Sequence, residues 1–268
     1  MDSDRLHRLV AQHAETSRLM GVDFVPVYRT SSDQSVVAPQ TAHLVPALLE
    51  VKPSSAPRAD ADQPKPSRED SQRALDELLA RYVADAPHKH FVTAHTNIVF
   101  GDGNPCADLM FIGEAPGEEE DRQGKPFVGR SGQLLDKMIV AMSLSRAEVY
   151  IANVLKTRPP NNATPTTEEA RLCSPYLFEQ IRIIAPKALV TLGLPATRLL
   201  LGTTEAMSKL RGRWHEFVDP SGRVVPVMPT YHPAYLLRNY TAEERAKVWS
   251  DLKQVMDRLD LKSSPDKQ

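Results

Sequence analysis

Three short stretches of the chain hold polar side chains of the kinds that bind ligands. The first is GEAPGEEED, in which Glu114 precedes a run of acids, Glu118, Glu119, Glu120 and Asp121. The second sets Asn153 ahead of Lys156 and Arg158, and the third is TYHPAYLLR, with His232 near its start. A carboxylate accepts, a carboxamide offers a donor beside an acceptor, and an imidazole can do either. Taken singly, each has an ordinary explanation: a Glu in a loop is usually solvated, an Asn is usually a turn or cap residue, and a His before Pro is usually a satisfied loop residue. Their weight comes from convergence, because all three lie just beyond apolar runs. In a parallel sheet such positions meet along one edge, where open α/β sheets bind their ligands. The glycines of GEAPG match neither the P-loop spacing nor the dinucleotide fingerprint, and no Gly-Lys-Ser/Thr follows, which removes most support for nucleotide hydrolysis.

The elements that must position these loops can be read from periodicity. Apolar runs at 109–112, 149–155, 188–192 and 224–228 read as strands, each ending in polar or Gly/Pro punctuation. Helical spacing appears at 72–83, 133–142, 167–184 and 242–259. Strand alternating with helix predicts an α/β fold with a parallel sheet covered on both faces. Residues 109–136 form the organising unit: strand, glycine-bounded loop, then helix. Thr166 or Thr167, with Glu168 and Glu169 behind it, marks a helix start through a capping hydroxyl and acids near the positive end of the dipole. No internal repeat is present, which excludes solenoids.

The 268 residues can bury one large core. A formal net charge of -1 lacks the positive balance of a nonspecific nucleic-acid binder, so local patches must decide that question. Two cysteines, Cys106 and Cys173, are too few for a disulfide framework. Without a run of about 18 apolar residues or a signal-peptide pattern, the expectation is a soluble, cytoplasmic protein that does not enter membranes. The expected organisation is an amino-terminal helix at 1–27, a flexible Pro/Ala/Ser-rich linker at 28–71, a folded domain at 72–260 and a disordered tail at 261–268.

Across roughly residues 72–259, the ordered stretches GEAPGEEED, GKPFVGRSGQLLDKM, ANVLKTRPPNN, PYLFEQIRIIAPKALVTLG and YHPAYLLR resemble the uracil-DNA glycosylase superfamily, and within it the family 4 type. The resemblance implies a three-layer αβα fold with a central four-stranded parallel sheet. It also implies a monofunctional DNA glycosylase that flips uracil out of single- or double-stranded DNA and hydrolyses its N-glycosidic bond. By motif, Glu114 resembles the acid that positions the attacking water, and His232 the histidine facing uracil O2. Phe127 resembles the aromatic stacked on the base, Asn153 the amide that reads its edge, and Glu120 the acid crowding C5. Ala115 and Gly117 belong to the same uracil-binding loop. Lys125, Arg130, Lys156, Arg158 and Arg238 lie in or beside these motifs and are expected to contact phosphates. Ala234, Tyr235, Leu236 and Leu237 read either as a wedge into the gap left by the base or as the first turn of a buried helix.

The chain departs from the family at its iron-sulfur cluster. ADAPHKH occupies the region of the family's CxxC pair, Thr157 replaces the cysteine of KCRPP, and only Cys173, in CSPYL, remains. Cys106 is off the pattern. One thiolate in four cannot hold such a cluster, so it is expected to be absent, with no other cofactor required. His88, His90 and His95 could form a zinc site with Cys173, but their spacing is loose and solvated histidines are the expected reading. TRPPNNATPT lacks the histidine through which a related branch links covalently to DNA. The competing function is a catalytically inactive or specificity-altered homologue serving as a DNA-binding module.

Overall fold

A computed structural model of the chain describes residues 66–261. The helix expected at 1–27, the linker as far as 65 and the tail from 262 lie outside the described residues. The first described helix, α1 (Arg68–Asp85), starts ahead of the expected position 72. Ser67 caps it by accepting from the Asp70 amide at 3.1 Å, and Glu69 and Asp70 lie at its positive end. The apolar spacing begins only at Ala74, nearly two turns after the backbone has become helical.

The remaining elements are β1 (Asp102–Gly103), β2 (Leu109–Gly113), α2 (Glu118–Gln123), α3 (Arg130–Ala141), β3 (Tyr150–Asn153), α4 (Thr167–Ile184), β4 (Ala188–Leu192), α5 (Leu194–Leu201), α6 (Met207–Leu210), β5 (His215–Val218), β6 (Val224–Thr230), α7 (Pro233–Arg238) and α8 (Ala242–Arg258). The sheet has strand order β1-β3-β2-β4-β6-β5. Its inner four strands are parallel, as expected. Two antiparallel edge strands extend it to six. Neither has an apolar run: β1 is only Asp-Gly, and β5 buries Phe217 alone. Asp219 forms the β5–β6 turn by accepting from the amides of Ser221 and Arg223 at 2.9 and 3.1 Å. Pro229 interrupts the apolar pattern of β6 without ending the strand, since Thr230 still pairs with Leu192.

Alternation along β2 builds both faces of the core. Leu109 and Phe111 join the cluster under α3, α7 and α8, while Met110 and Ile112 join the one under α1, α4 and α5. The result is the three-layer arrangement. β2 has β3 on one side and β4 on the other, so the chain reverses its direction across the sheet at β2. A crevice opens beyond the carboxyl ends of strands at such a reversal. α4 starts as expected, and its cap is Thr166, whose hydroxyl accepts from Glu169 N at 3.2 Å while the Glu169 carboxylate accepts from Thr166 N at 2.7 Å.

Candidate active site

The loops after β2, β3 and β6 surround a cavity of about 410 Å³ at this crevice. Its walls include Glu114, Ala115, Gly117, Glu120, Phe127, Asn153, His232 and Arg238. Gly113 and Asn153 are register partners at the ends of β2 and β3, and the pairing runs on into the loops. Val154 N donates to Gly113 O and Leu155 N to Glu114 O, both at 3.0 Å, which fixes the start of the Glu114 loop against Asn153. A Cβ on Gly113 would lie 2.4 Å from Asn153 Oδ1 and 2.6 Å from the Phe127 ring. Glycine here is what lets the amide and the aromatic share the cavity floor.

Asn153 is almost fully buried, and its Oδ1 has no hydrogen-bond partner in the protein. A buried polar atom without a partner is costly, on the order of 1–3 kcal/mol, unless a ligand or water completes it. Phe127 sits 5.5 Å from the His232 ring, tilted by 35°. Its φ of 52° is left-handed, a conformation that costs a bulky residue about 1–2 kcal/mol. Glu120 Oε1 braces this loop by accepting from Val128 N at 2.9 Å and Gly129 N at 2.8 Å.

His232 caps α7: its Nδ1 accepts from Ala234 N at 3.0 Å. In the neutral ring the proton therefore resides on Nε2, which is left as a donor. Burial, helped by the charge of Arg238, depresses its pKa to about 4. The imidazole is thus neutral at physiological pH. Gly193, at φ 92°, lets the histidine come close, since a Cβ there would lie 3.1 Å from His232 Cβ. The approach of β6 is anchored by Thr230 donating to Asp251 at 2.7 Å and by the Arg211–Asp251 ion pair at 2.6 Å. Glu114 is half-buried, and desolvation raises its pKa against the opposing effect of the Thr164 hydroxyl.

The acidic run divides by role. Glu118 and Glu119 are exposed and Glu120 braces the Phe127 loop. Asp121 is buried, accepting from Thr96 N at 2.8 Å and Asn97 N at 3.0 Å. Sequence reasoning missed Asn162 and Thr164, which line the cavity from the loop after β3. The signal was there, in a proline-flanked polar loop directly behind Asn153.

Three of the expected phosphate contacts are exposed: Lys125, Arg130 and Arg238. Arg158 is largely covered, donating to Asn162 Oδ1 at 2.8 Å and pairing with Glu118 at 3.5 Å. Lys156 requires a correction. It is fully buried, donating to Asn153 O at 2.7 Å and Gln180 Oε1 at 2.6 Å, and it cannot reach a phosphate. Leu236 is buried in the core, as the helix alternative expects, while Leu237, beside it in α7, is exposed.

The fold and this crevice define a superfamily, and the sequence comparisons agree with it. The model of the Uracil DNA glycosylase superfamily matches residues 100–253. The chain therefore belongs to that superfamily, and its similarity is to the Type-4 branch. A Type-4 uracil-DNA glycosylase of Thermotoga maritima is 40% identical over 190 residues, covering 70% of this chain and 95% of the relative. Those of Sulfurisphaera tokodaii and Archaeoglobus fulgidus are 46% identical over 149 residues and 42% over 164, covering 54% and 60% of this chain and 67% and 81% of the relatives.

The residues present do not fit the family's cluster. Cys173 is buried beside Tyr82 and Lys156 rather than other thiols, and burial raises its pKa. Tyr82 lies beside it, its hydroxyl facing Cys173 and Thr157, its ring edge-on to Tyr176 at 4.9 Å and stacked at 5.5 Å on His88, which is buried and not solvated as expected. Cys106 lies instead against the start of α1, 3.5 Å from Ser71 Oγ. His95 Nδ1 bonds Thr93 Oγ1 at 2.7 Å. Among the described residues no three His, Cys, Asp or Glu side chains gather to hold a metal ion. Nor is any helix among them long and apolar enough to cross a membrane.

Proposed function

We propose that the chain is a monofunctional uracil-DNA glycosylase, which hydrolyses the N-glycosidic bond of deoxyuridine in single- or double-stranded DNA and so begins base excision repair. The observation that carries this reading is the buried, unpartnered Oδ1 of Asn153 on the cavity floor. Uracil presents the N3-H that this oxygen lacks, and its O4 accepts from the same amide's Nδ2. Cytosine offers the reverse order and leaves both amide atoms unpaired. A base in a duplex cannot reach this floor, so it must be extruded, and the Phe127 ring is the stacking surface that receives it. Leu237, exposed beside Arg238, suits the gap left behind.

As the bond lengthens, the sugar gains cationic character and the base becomes a uracil anion. The neutral His232, donating through Nε2 to O2, stabilises that anion without requiring a charged ring. Ionised Glu114 favours the sugar cation and takes a proton from the attacking water. Glu120 completes the wall at C5. Lys125, Arg130 and Arg238 hold phosphates at the rim, a contribution that positions DNA without reading sequence. No step uses a cluster, and on this reading the protein works without one. The catalytic domain is taken as 72–260, with the start of α1 from Arg68 added to it.

Oligonucleotides with one uracil, single- and double-stranded, test this directly when incubated with the protein and then cleaved with alkali at abasic sites. Protein-dependent scission at the uracil position is expected. Tight binding with no scission would instead make the chain a DNA-binding module.

A further inference from the structure

We propose that Arg146, outside the cavity, is a positioning residue that with Glu120 clamps Phe127 in its stacking orientation; this rests on the reading of Phe127 as the surface that receives the base. Arg146 Nη1 donates to Phe127 O at 2.9 Å, and Nη2 to Pro126 O. The guanidinium is itself held by Asp136 at 3.0 Å and Asp102 at 3.4 Å. Glu120 grips the same loop from the other side through Val128 N and Gly129 N. Carbonyls on one flank of Phe127 and amides on the other are thus each taken by a charged side chain. α3 closes the arrangement, since a Cβ on Gly132 would lie 2.0 Å from Phe127 O.

Such a clamp is what a left-handed phenylalanine needs, because the conformation persists only where its surroundings over-determine it. Two adjacent carbonyls suit a planar fork, and an ammonium cannot reproduce that grip. Released, the loop would relax toward ordinary φ values and swing the ring off Gly113.

The test compares Arg146→Lys and Arg146→Met with the wild-type full chain, and Phe127→Ala alone and combined with Arg146→Met. Amide hydrogen exchange at Val128 and Gly129 should quicken in both Arg146 variants by about tenfold or more, while the core strands stay protected. Inhibition by free uracil, which needs the ring, should weaken about tenfold, and affinity for abasic DNA, which does not, should hold within about twofold. The double variant should bind uracil no more weakly than Phe127→Ala alone. Unchanged exchange would overturn the clamp, as would parallel losses for uracil and abasic DNA, or additive losses in the double variant. Arg146→Lys keeps the charge and most of the bulk, and carries the comparison if Arg146→Met does not fold. If the wild type fails to bind uracil, the glycosylase reading falls, and the exchange result alone still decides the clamp.

Discussion

His232 and Glu114 are displaced from their ordinary titration ranges in opposite directions, and in both cases the main cause is lost hydration. With His232 neutral above about pH 5, the proposed mechanism assigns the acid limb of the rate to Glu114. That mechanism needs Glu114 ionised and burial raises its pKa, so excision should fall as pH decreases, at a higher pH than an ordinary carboxylate would give. Glu114→Gln should lower single-turnover excision by about 10² or more and remove that limb. A mutant that keeps the wild-type profile would take Glu114 out of the reaction. Asn153→Asp should reduce uracil excision by about 10² or more and admit cytosine at a low rate, because a protonated Asp reorders donor and acceptor. The ratio of uracil to cytosine release measures this, and an unchanged ratio removes Asn153 from base reading. At this scale the sequence was informative where a side chain ends a strand, as with Glu114, Asn153 and His232. Lys156 misled, since its burial depends on Gln180, 24 positions away, which no local pattern announces.

The loop after β3 joins the site to the core through Lys156. Its pKa, depressed by burial to about 7, carries a pH signature. Between about 7 and the unfolded value near 10.4, the unfolded chain binds the proton and the folded one does not, so stability should rise with pH across that window. The scale is about 1.4 kcal/mol for each unit of depression, offset in part by the bonds to Asn153 O and Gln180. Lys156→Met should flatten the rise in urea midpoints between pH 7 and 10. Equal slopes in the two proteins would show that the amine is hydrated. The inner strands and α4 were legible because they are apolar or well capped. The edge strands were not, because β1 is too short and β5 too polar to form a pattern. α2 was hidden in the same way, its acids reading as a loop although four of its six residues are acidic and favour the positive end of a helix.

At the scale of the molecule, a parallel sheet whose order reverses at β2 brings an acid, an amide, an aromatic and an imidazole from well-separated stretches of sequence to one crevice. On the face of the sheet under α1 and α4, Tyr82 and its aromatic neighbours occupy the surroundings of the one family cysteine that remains. The missing thiols could be counted in the sequence. That Tyr82 packs against Cys173 could not, because it depends on how α1 docks on α4. Uracil excision should therefore be independent of iron. Single-turnover uracil release and iron content, measured in the same preparations, decide this. Full release by colourless protein with far less than one iron per chain, and no change after chelation, is expected. Brown protein with about four irons per chain, whose activity falls as iron is removed, would contradict it.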